Sequence, residues 1–156
     1  LATGADMAAC LQLELGVAGA FLETLQDEQG ALVEGNIERL EALASDKARM
    51  VRQLTEFAER RNRCLASRGL NPDSKGMATW LADGADAKVV SAWRVLLELT
   101  AAAQQLNQTN GAIIAARLQH NQQALAALQG AAGVVSLYGP KGQTLGLGGG
   151  QALRRV

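Results

Sequence analysis

The stretch "ALVEGNIERLEALASDKARMVRQL", residues 31–54, decides the fold, because a short break interrupts a helical pattern that continues on both sides of it. The break consists of Glu34, Gly35 and Asn36, and Asn36 is a residue type that begins helices well. When two long amphipathic helices are joined by so short a connection, they fold back on each other. The stretch therefore predicts an antiparallel helical hairpin.

The residues before the break predict a first helix over 6–33, with Asp6 as its N-cap. Its apolar residues recur with the alternating spacing of four and three that is typical of a coiled-coil seam. These residues are Leu11, Leu15, Ala18, Leu22 and Leu25. Gly16, Gly19 and Gly30 each cost about 1 kcal/mol relative to alanine in a helix interior. We therefore expect tertiary packing to supply most of the stability of this helix.

The residues after the break predict a second helix over 36–68 that ends at Gly69, which favours a left-handed stop. Its predicted seam contains Leu40, Ala44, Met50, Val51, Leu54, Phe57, Ala58 and Leu65. Glutamate and arginine occupy much of the opposite face, as expected of a helix with one side in water. The pattern thus supplies the second arm of the hairpin.

A turn at Asn71 and Pro72 leads to a short helix predicted over 77–83, which would place Trp80 and Leu81 against the hairpin. A third long helix follows over 86–129, with a candidate kink at Asn110 and Gly111. Its apolar residues form two neighbouring stripes. The first contains Val90, Trp93, Leu97, Ile114, Leu118, Leu125 and Leu128, and the second contains Leu96, Leu99, Leu106 and Ile113.

Composition agrees with an all-helical chain, since aromatic residues make up only 3% of its 156 residues. We predict an all-α fold of three long helices, arranged as an antiparallel bundle or coiled-coil hairpin, with a short connecting helix. The helical domain is expected over residues 1–133 and a glycine-rich tail over 134–156.

The third long helix becomes rich in amides after Thr100, and two interpretations of this change stay open. The amides are Gln104, Gln105, Asn107, Gln108, Asn110, Gln119, Asn121, Gln122 and Gln123. They form either a solvated face built without charges or an incompletely filled seam that accepts a helix from another protein.

The distribution of charge argues against nucleic-acid binding. The net charge is zero, residues 1–60 carry 11 acidic and 5 basic side chains, and Arg117, Lys141, Arg154 and Arg155 are the bases from Leu99 onward. These four bases are too scattered for a nucleic-acid surface. Apolar runs such as "VLLELTAAA" are broken well before the ~20 residues that span a bilayer. We expect a cytoplasmic protein without membrane insertion.

Catalytic and metal-binding patterns are missing from the sequence. The single histidine, His120, has Arg117 three residues before it, whereas the metal sites of helical bundles use Glu-x-x-His pairs. Cys10 and Cys64 are far apart in sequence and are expected to be reduced thiols. We predict no enzymatic activity and no cofactor.

The tail "VVSLYGPKGQTLGLGGGQALRRV", residues 134–156, resembles a nucleotide-binding loop only in its glycines. In a P-loop, Lys follows the second glycine, but here Lys141 precedes Gly142. A dinucleotide fingerprint from Gly146 would need glycine where Gln151 stands. The tail is then either flexible or a short hairpin of extended segments 134–137 and 143–147. Apolar residues predicted to contact a surface are Val134, Val135, Leu137, Tyr138, Leu145, Leu147 and Leu153.

Taken in order, these pieces resemble the FlgN family of flagellar export chaperones over essentially the whole chain. The resemblance rests on the acidic hairpin of residues 31–54, the connecting loop with its short helix, "LNQTNGAIIAARLQHNQQAL" at 106–125 and "LYGPKGQT" at 137–144. It implies a chaperone of type III secretion. Such a chaperone keeps the hook-associated proteins FlgK and FlgL unassembled and delivers them to the flagellar export apparatus.

The resemblance also implies roles for particular residues, because family members bind substrate through the C-terminal half. The residues expected to contact the substrate helix are Ile113, Ile114, Leu118, Leu125 and Leu128. Tyr138 is the expected contact with the export gate. The rival interpretation is a coiled-coil structural adaptor that self-associates and exchanges its C-terminal tail between subunits, so the oligomeric state stays open.

Overall fold

The computed structural model describes the backbone of residues 1–137 and the side chains of residues 1–133. It consists of helices α1 (Gly4–Glu34), α2 (Ile37–Ala66), α3 (Ser74–Ala82) and α4 (Ala87–Leu137), and this described part contains no strand. The prediction of an all-α fold is confirmed. Tyr138, Leu145, Leu147 and Leu153 lie outside the described residues.

The break between α1 and α2 has the predicted residues in the predicted roles. Gly35 adopts the left-handed conformation at φ 71°, and its N–H donates to the carbonyl of Ala31. The Asn36 side chain accepts a hydrogen bond of 3.1 Å from the Arg39 N–H. These two caps end one helix and begin the next within two residues.

The N-terminus of α1 differs from the prediction, because Thr3 and not Asp6 is the N-cap. The Thr3 hydroxyl accepts from the Asp6 N–H at 3.2 Å, and the Asp6 carboxylate accepts from the Thr3 N–H at 2.7 Å. This reciprocal pair is a capping box, in which the acid stands three residues after the cap. The same interaction lowers the pKa of Asp6, chiefly through the hydrogen bond from the Thr3 backbone.

The connection around α3 is shaped by two glycines and an aspartate. Gly69 has the left-handed conformation expected of it, at φ 72°. The Asp73 carboxylate caps α3 by accepting from the N–H groups of Lys75 and Gly76. Gly76 packs so closely on the preceding loop that a Cβ there would lie 1.8 Å from the carbonyl oxygen of Asn71. Because Asp73 is the N-cap, α3 begins at Ser74, three residues before the predicted start at 77.

Helix α4 runs further than predicted and is uninterrupted at Asn110 and Gly111. It ends at Leu137, whereas the sequence predicted an end at 129 and an extended segment over 134–137. The prediction of an extended segment there is wrong. Glycine and β-branched residues each disfavour a helix by only about 0.5–1 kcal/mol, and a long helix tolerates them.

The chain divides into two compact units, Leu1–Ile113 and Ile114–Val156. In the first unit, contacts between side chains define the helix directions. Arg61 of α2 pairs with Glu14 of α1 and stacks over Trp93 of α4, while Lys47 of α2 bonds Glu28 of α1 and Asn107 of α4. Helix α2 is therefore antiparallel to α1, and residues 87–113 of α4 run in the same direction as α1.

Helix α3 closes one end of the core of this unit. Trp80 is buried and Leu81 packs beside it, as predicted from the sequence. The Arg68 guanidinium lies 3.9 Å from the centre of the Trp80 ring. The buried residues of the hydrophobic cluster that α3 helps to close are Met7, Leu11, Ala18, Leu65, Met77, Trp80, Val89, Ala92 and Leu96.

Helix α1 is long enough, and apolar enough on average, to span a membrane, although polar residues interrupt its apolar runs. The same is true of many core helices of soluble proteins and of signal sequences near an N-terminus. In this structure α1 packs against α2, and its buried carboxylates Glu14 and Glu28 form ion pairs with Arg61 and Lys47. The helix is therefore part of the bundle.

Candidate protein-binding surface

The second unit exposes a row of large apolar side chains on α4. Ile114, Leu118, Leu125 and Leu128 are 48%, 57%, 56% and 68% exposed. A single exposed leucine needs no explanation, but these four follow one another at intervals of four, seven and three. At 100° per residue they fall within an arc of about 80°. They form one continuous face, which we call the leucine stripe.

The surroundings of the leucine stripe carry very little charge. Between residues 114 and 133 the ionisable side chains are those of Arg117 and His120, and the remaining positions are mainly alanine and amides. A helix face that normally meets water is rich in charged residues. The stripe therefore has the uncharged, aliphatic composition of a helix–helix seam, while the amides Gln119 and Gln123 lie on the opposite, exposed face.

Ile113 differs from the other four residues predicted to contact a substrate helix. It is half-buried and belongs to the first unit. Its stripe, with Leu96, Leu99 and Leu106, is buried or half-buried in the structure. One helical position separates Ile113 from Ile114, which turns their side chains about 100° apart. The structure therefore groups four of the five predicted contact residues and leaves Ile113 outside the group.

A second apolar surface lies in the first unit, as a groove of about 490 Å³ between α2 and α4 with α1 as its floor. Val51 and Leu97, both about half exposed, stand among its lining residues. The volume lies within the range of ligand pockets. The apolar lining residues are Ala18, Phe21, Val51, Leu54, Ala58, Trp93, Leu96, Leu97, Leu99 and Ala103.

The charged residues in this groove are Glu14 and Arg61, and they pair with each other. Both side chains are mostly buried, and among the described residues Glu14 Oε2 and Arg61 Nε have no hydrogen-bond partner. Because the pair neutralises itself, the groove offers an apolar surface with no net charge. The groove could not be predicted from the sequence, because it forms only where three helices meet.

A buried polar cluster fixes α4 to α1 near the end of the first unit. Asn110 is 1% exposed, and its Nδ2 donates at 2.9 Å to both the carbonyl of Leu25 and Oε1 of Glu28. Lys47 Nζ completes the cluster at 2.9 Å from Glu28 Oε2. The sequence marked Asn110 as a candidate kink, whereas the structure uses its amide as a tie between helices.

The part of the chain that the structure describes holds no group of three or more His, Cys, Asp or Glu side chains placed to bind a metal. Cys10 and Cys64 are free thiols, and the Cys10 Sγ donates to the carbonyl of Phe57 at 3.6 Å. Burial raises the pKa of both thiols, and for Cys10 the neighbouring Cys64 and Glu14 raise it further. A raised pKa makes a thiol a weaker nucleophile at neutral pH.

The class defined by the fold is an all-helical protein whose long helix exposes an aliphatic stripe, a kind of surface on which amphipathic helices pack. Comparison with protein families gives the particular family: the model described as FlgN protein matches residues 4–146. The chain therefore belongs to the FlgN family, a family of flagellar export chaperones. Searches of curated proteins and of solved structures gave no match.

The remaining predicted site residues lie at the end of α4 or beyond it. The backbone of Val134, Val135 and Leu137 is helical. Tyr138, the expected contact with the export gate, follows the last described residue. Among the predicted site residues whose side chains the structure describes, those of the leucine stripe lie together on one face.

Proposed function

We propose that this protein is a cytoplasmic export chaperone that binds FlgK-like and FlgL-like hook-associated proteins through the leucine stripe. The observation that carries the proposal is the set of four exposed aliphatic side chains on one face of α4, in a chain that belongs to the FlgN family. An amphipathic helix of the substrate would cover this stripe. While it is covered, that substrate helix is not available for assembly into the flagellum.

The size of the stripe fits a reversible complex. Complete burial of a leucine or isoleucine contributes about 1.5–3 kcal/mol, so four side chains that start half exposed contribute roughly 3–6 kcal/mol. A micromolar complex requires about 8 kcal/mol, and the remainder must come from partner side chains that pack around the stripe. Binding of this strength allows a substrate to be handed over without hydrolysis of a nucleotide.

The same proposal gives the tail a role in delivery. Tyr138 is the contact with the export apparatus, and the surrounding apolar residues of the tail support it. They are Val134, Val135, Leu137, Leu145, Leu147 and Leu153. Replacing Tyr138 with alanine should reduce secretion of the substrate and leave the thermal unfolding of the bundle unchanged. A large loss of thermal stability would instead assign the tyrosine to the core.

The proposed function is tested by co-purification of the full-length protein with FlgK-like and FlgL-like partners. The test variant carries Leu118→Ala and Leu125→Ala, and its matched control carries Gln119→Ala and Gln123→Ala on the opposite face of the same helix. We expect the leucine variant to lose the partners and the glutamine variant to retain them. Point substitutions are preferable to truncation at residue 110, because that truncation removes the buried Asn110.

Self-association through the same stripe is the competing function, since an exposed heptad seam also fits a second copy of this chain. Light scattering separates the two functions. A chaperone forms a defined complex with its substrate, whereas a coiled-coil adaptor stays a homo-oligomer when the substrate is added. Retention of the homo-oligomer in the presence of FlgK-like and FlgL-like proteins would support the adaptor.

A further inference from the structure

Asn121 occupies a position of the leucine stripe that would otherwise be apolar. The stripe residues Ile114, Leu118, Leu125 and Leu128 leave one gap, and Asn121 fills it so that all intervals become four, three, four and three. This is the spacing of positions that face a partner helix in a coiled coil. Asn121 is exposed in the structure and lies on the same face as its four apolar neighbours.

An asparagine at such a position restricts which side chains the partner helix can place opposite it. Its side-chain amide has two donor hydrogens and an acceptor oxygen, all of which lose water when the seam closes. Each buried polar group left without a partner costs about 1–3 kcal/mol. A partner helix with only aliphatic residues in its seam would therefore bind less tightly than one that places a hydrogen-bonding side chain opposite Asn121.

The first unit shows how this chain accommodates an asparagine between helices. Asn110 is almost fully buried, and its amide nitrogen donates to a backbone carbonyl and to the carboxylate of Glu28. The facing helix thus supplies acceptors for the amide N–H groups, while Asn110 Oδ1 is buried without a hydrogen-bond partner among the described residues. A partner of the leucine stripe needs an equivalent arrangement opposite Asn121.

Charge offers little alternative means of selection at the stripe. The positions that flank it are occupied by Ala115, Arg117, Gln122 and Ala124, none of them acidic. Coiled coils that choose partners by charge use glutamate and lysine at these flanking positions. With a single basic residue there, the amide in the seam becomes the main feature that distinguishes one amphipathic helix from another.

We propose that Asn121 is the specificity-determining residue of the leucine stripe. It selects a partner helix whose aliphatic seam is interrupted once by an Asn, Gln, Ser or Thr side chain, and it rejects helices with a wholly aliphatic seam. This inference rests on the proposed function, because it takes the stripe as the substrate-binding face.

The test compares two probes on the full-length protein by calorimetry. One is a FlgK-like or FlgL-like protein, and the other is a synthetic amphipathic helix with leucine at every seam position. We expect the wild-type protein to bind the first probe at least tenfold more tightly than the second. Asn121→Leu should reduce that ratio about fivefold or more, since one unpaired polar group costs ~1–3 kcal/mol. Gln123→Leu, which also replaces an amide with leucine but on the opposite face, should leave the ratio unchanged.

An unchanged ratio in the Asn121→Leu protein would overturn the inference. The Leu118→Ala protein shows whether the proposed function fails as well. If Leu118→Ala weakens binding of the FlgK-like or FlgL-like probe while Asn121→Leu leaves the ratio as it was, the stripe binds substrate and another residue selects it. If Leu118→Ala has no effect on binding, the stripe is not the substrate site. Helicity measured by circular dichroism confirms that each variant is folded.

Discussion

The side-chain amide of Asn110 lies 2.9 Å from a carboxylate oxygen of Glu28, and both residues are buried where α4 crosses α1. The same amide nitrogen donates to the Leu25 carbonyl at the same distance. Lys47 Nζ donates to both carboxylate oxygens of Glu28, at 3.2 Å and 2.9 Å. Three helices of the first unit are thus joined by one polar cluster.

Replacing Asn110 with alanine should destabilise the protein by about 1–3 kcal/mol, because the buried Glu28 carboxylate loses a donor and a small cavity forms. Urea unfolding followed by circular dichroism measures the effect. Gln108→Ala, at an exposed position of the same helix, is the control and should change stability by less than about 0.5 kcal/mol. Equal losses in the two variants would show that the cluster contributes no stability.

The ion pair between Glu14 and Arg61 should be more costly to break than to replace. Arg61→Met leaves the Glu14 carboxylate buried without its charged partner, which costs about 3–5 kcal/mol. The double variant with Glu14→Leu removes both charges and should recover most of that loss. Chemical denaturation of the two single variants and the double variant measures the coupling between the two residues. Additive losses would contradict the prediction.

Two glycines in helices should respond to alanine in opposite directions. At Gly16, which is in the interior of α1, a Cβ has no atom within 4 Å, so Gly16→Ala should stabilise the protein by up to about 1 kcal/mol. At Gly76 a Cβ would overlap the carbonyl of Asn71, so Gly76→Ala must displace the loop or α3 and lower the melting temperature. Thermal unfolding tests both variants. A stable Gly76→Ala protein would show that this close approach is not required.

The stability of the protein should fall in alkaline solution partly because of Cys10. Burial raises the pKa of this thiol above its ordinary value of 9.0, so the folded protein retains a proton that the unfolded chain releases. The stabilisation of the folded state by the protonated Cys10 thiol is fully present below pH 9. It is lost as the pH rises toward the higher pKa of the folded state. The stability of the wild-type protein relative to Cys10→Ala should therefore decline above that pH. A difference that is constant with pH would contradict it.

The hairpin was predictable because its turn depends on two residues that are adjacent in the sequence: Gly35, which ends α1, and Asn36, which caps α2. The sequence also predicted most of the seam between α1 and α2, since Leu11, Ala18, Leu25 and Leu65 are buried, but it missed particular positions. The structure buries Leu43 and leaves Ala44 exposed, and the buried seam of α1 includes Glu14 and Glu28. The sequence pattern of apolar residues does not reveal buried carboxylates, because burial of a charge is costly unless it is paired.

A pattern in the sequence marks that exception. Glu14 and Glu28 are fourteen residues apart, two full heptads, and their partners Lys47 and Arg61 are separated by the same interval. Opposite charges at matching heptad intervals on two antiparallel helices indicate pairs across a seam. The leucine stripe was predictable for a similar reason, since periodicity alone places its residues on one face. The groove over Phe21 and Trp93 was not, because it depends on how three helices meet.

Calorimetric titration of a FlgK-like or FlgL-like protein into the full-length chain tests the central claim most directly. The comparison is between wild type, the Leu118→Ala and Leu125→Ala double variant, and the Gln119→Ala and Gln123→Ala control. The account predicts that the leucine variant binds at least tenfold more weakly, a loss of about 1.4 kcal/mol or more, while the control binds like wild type. Equal affinity in all three proteins would contradict the claim that the leucine stripe binds the export substrate.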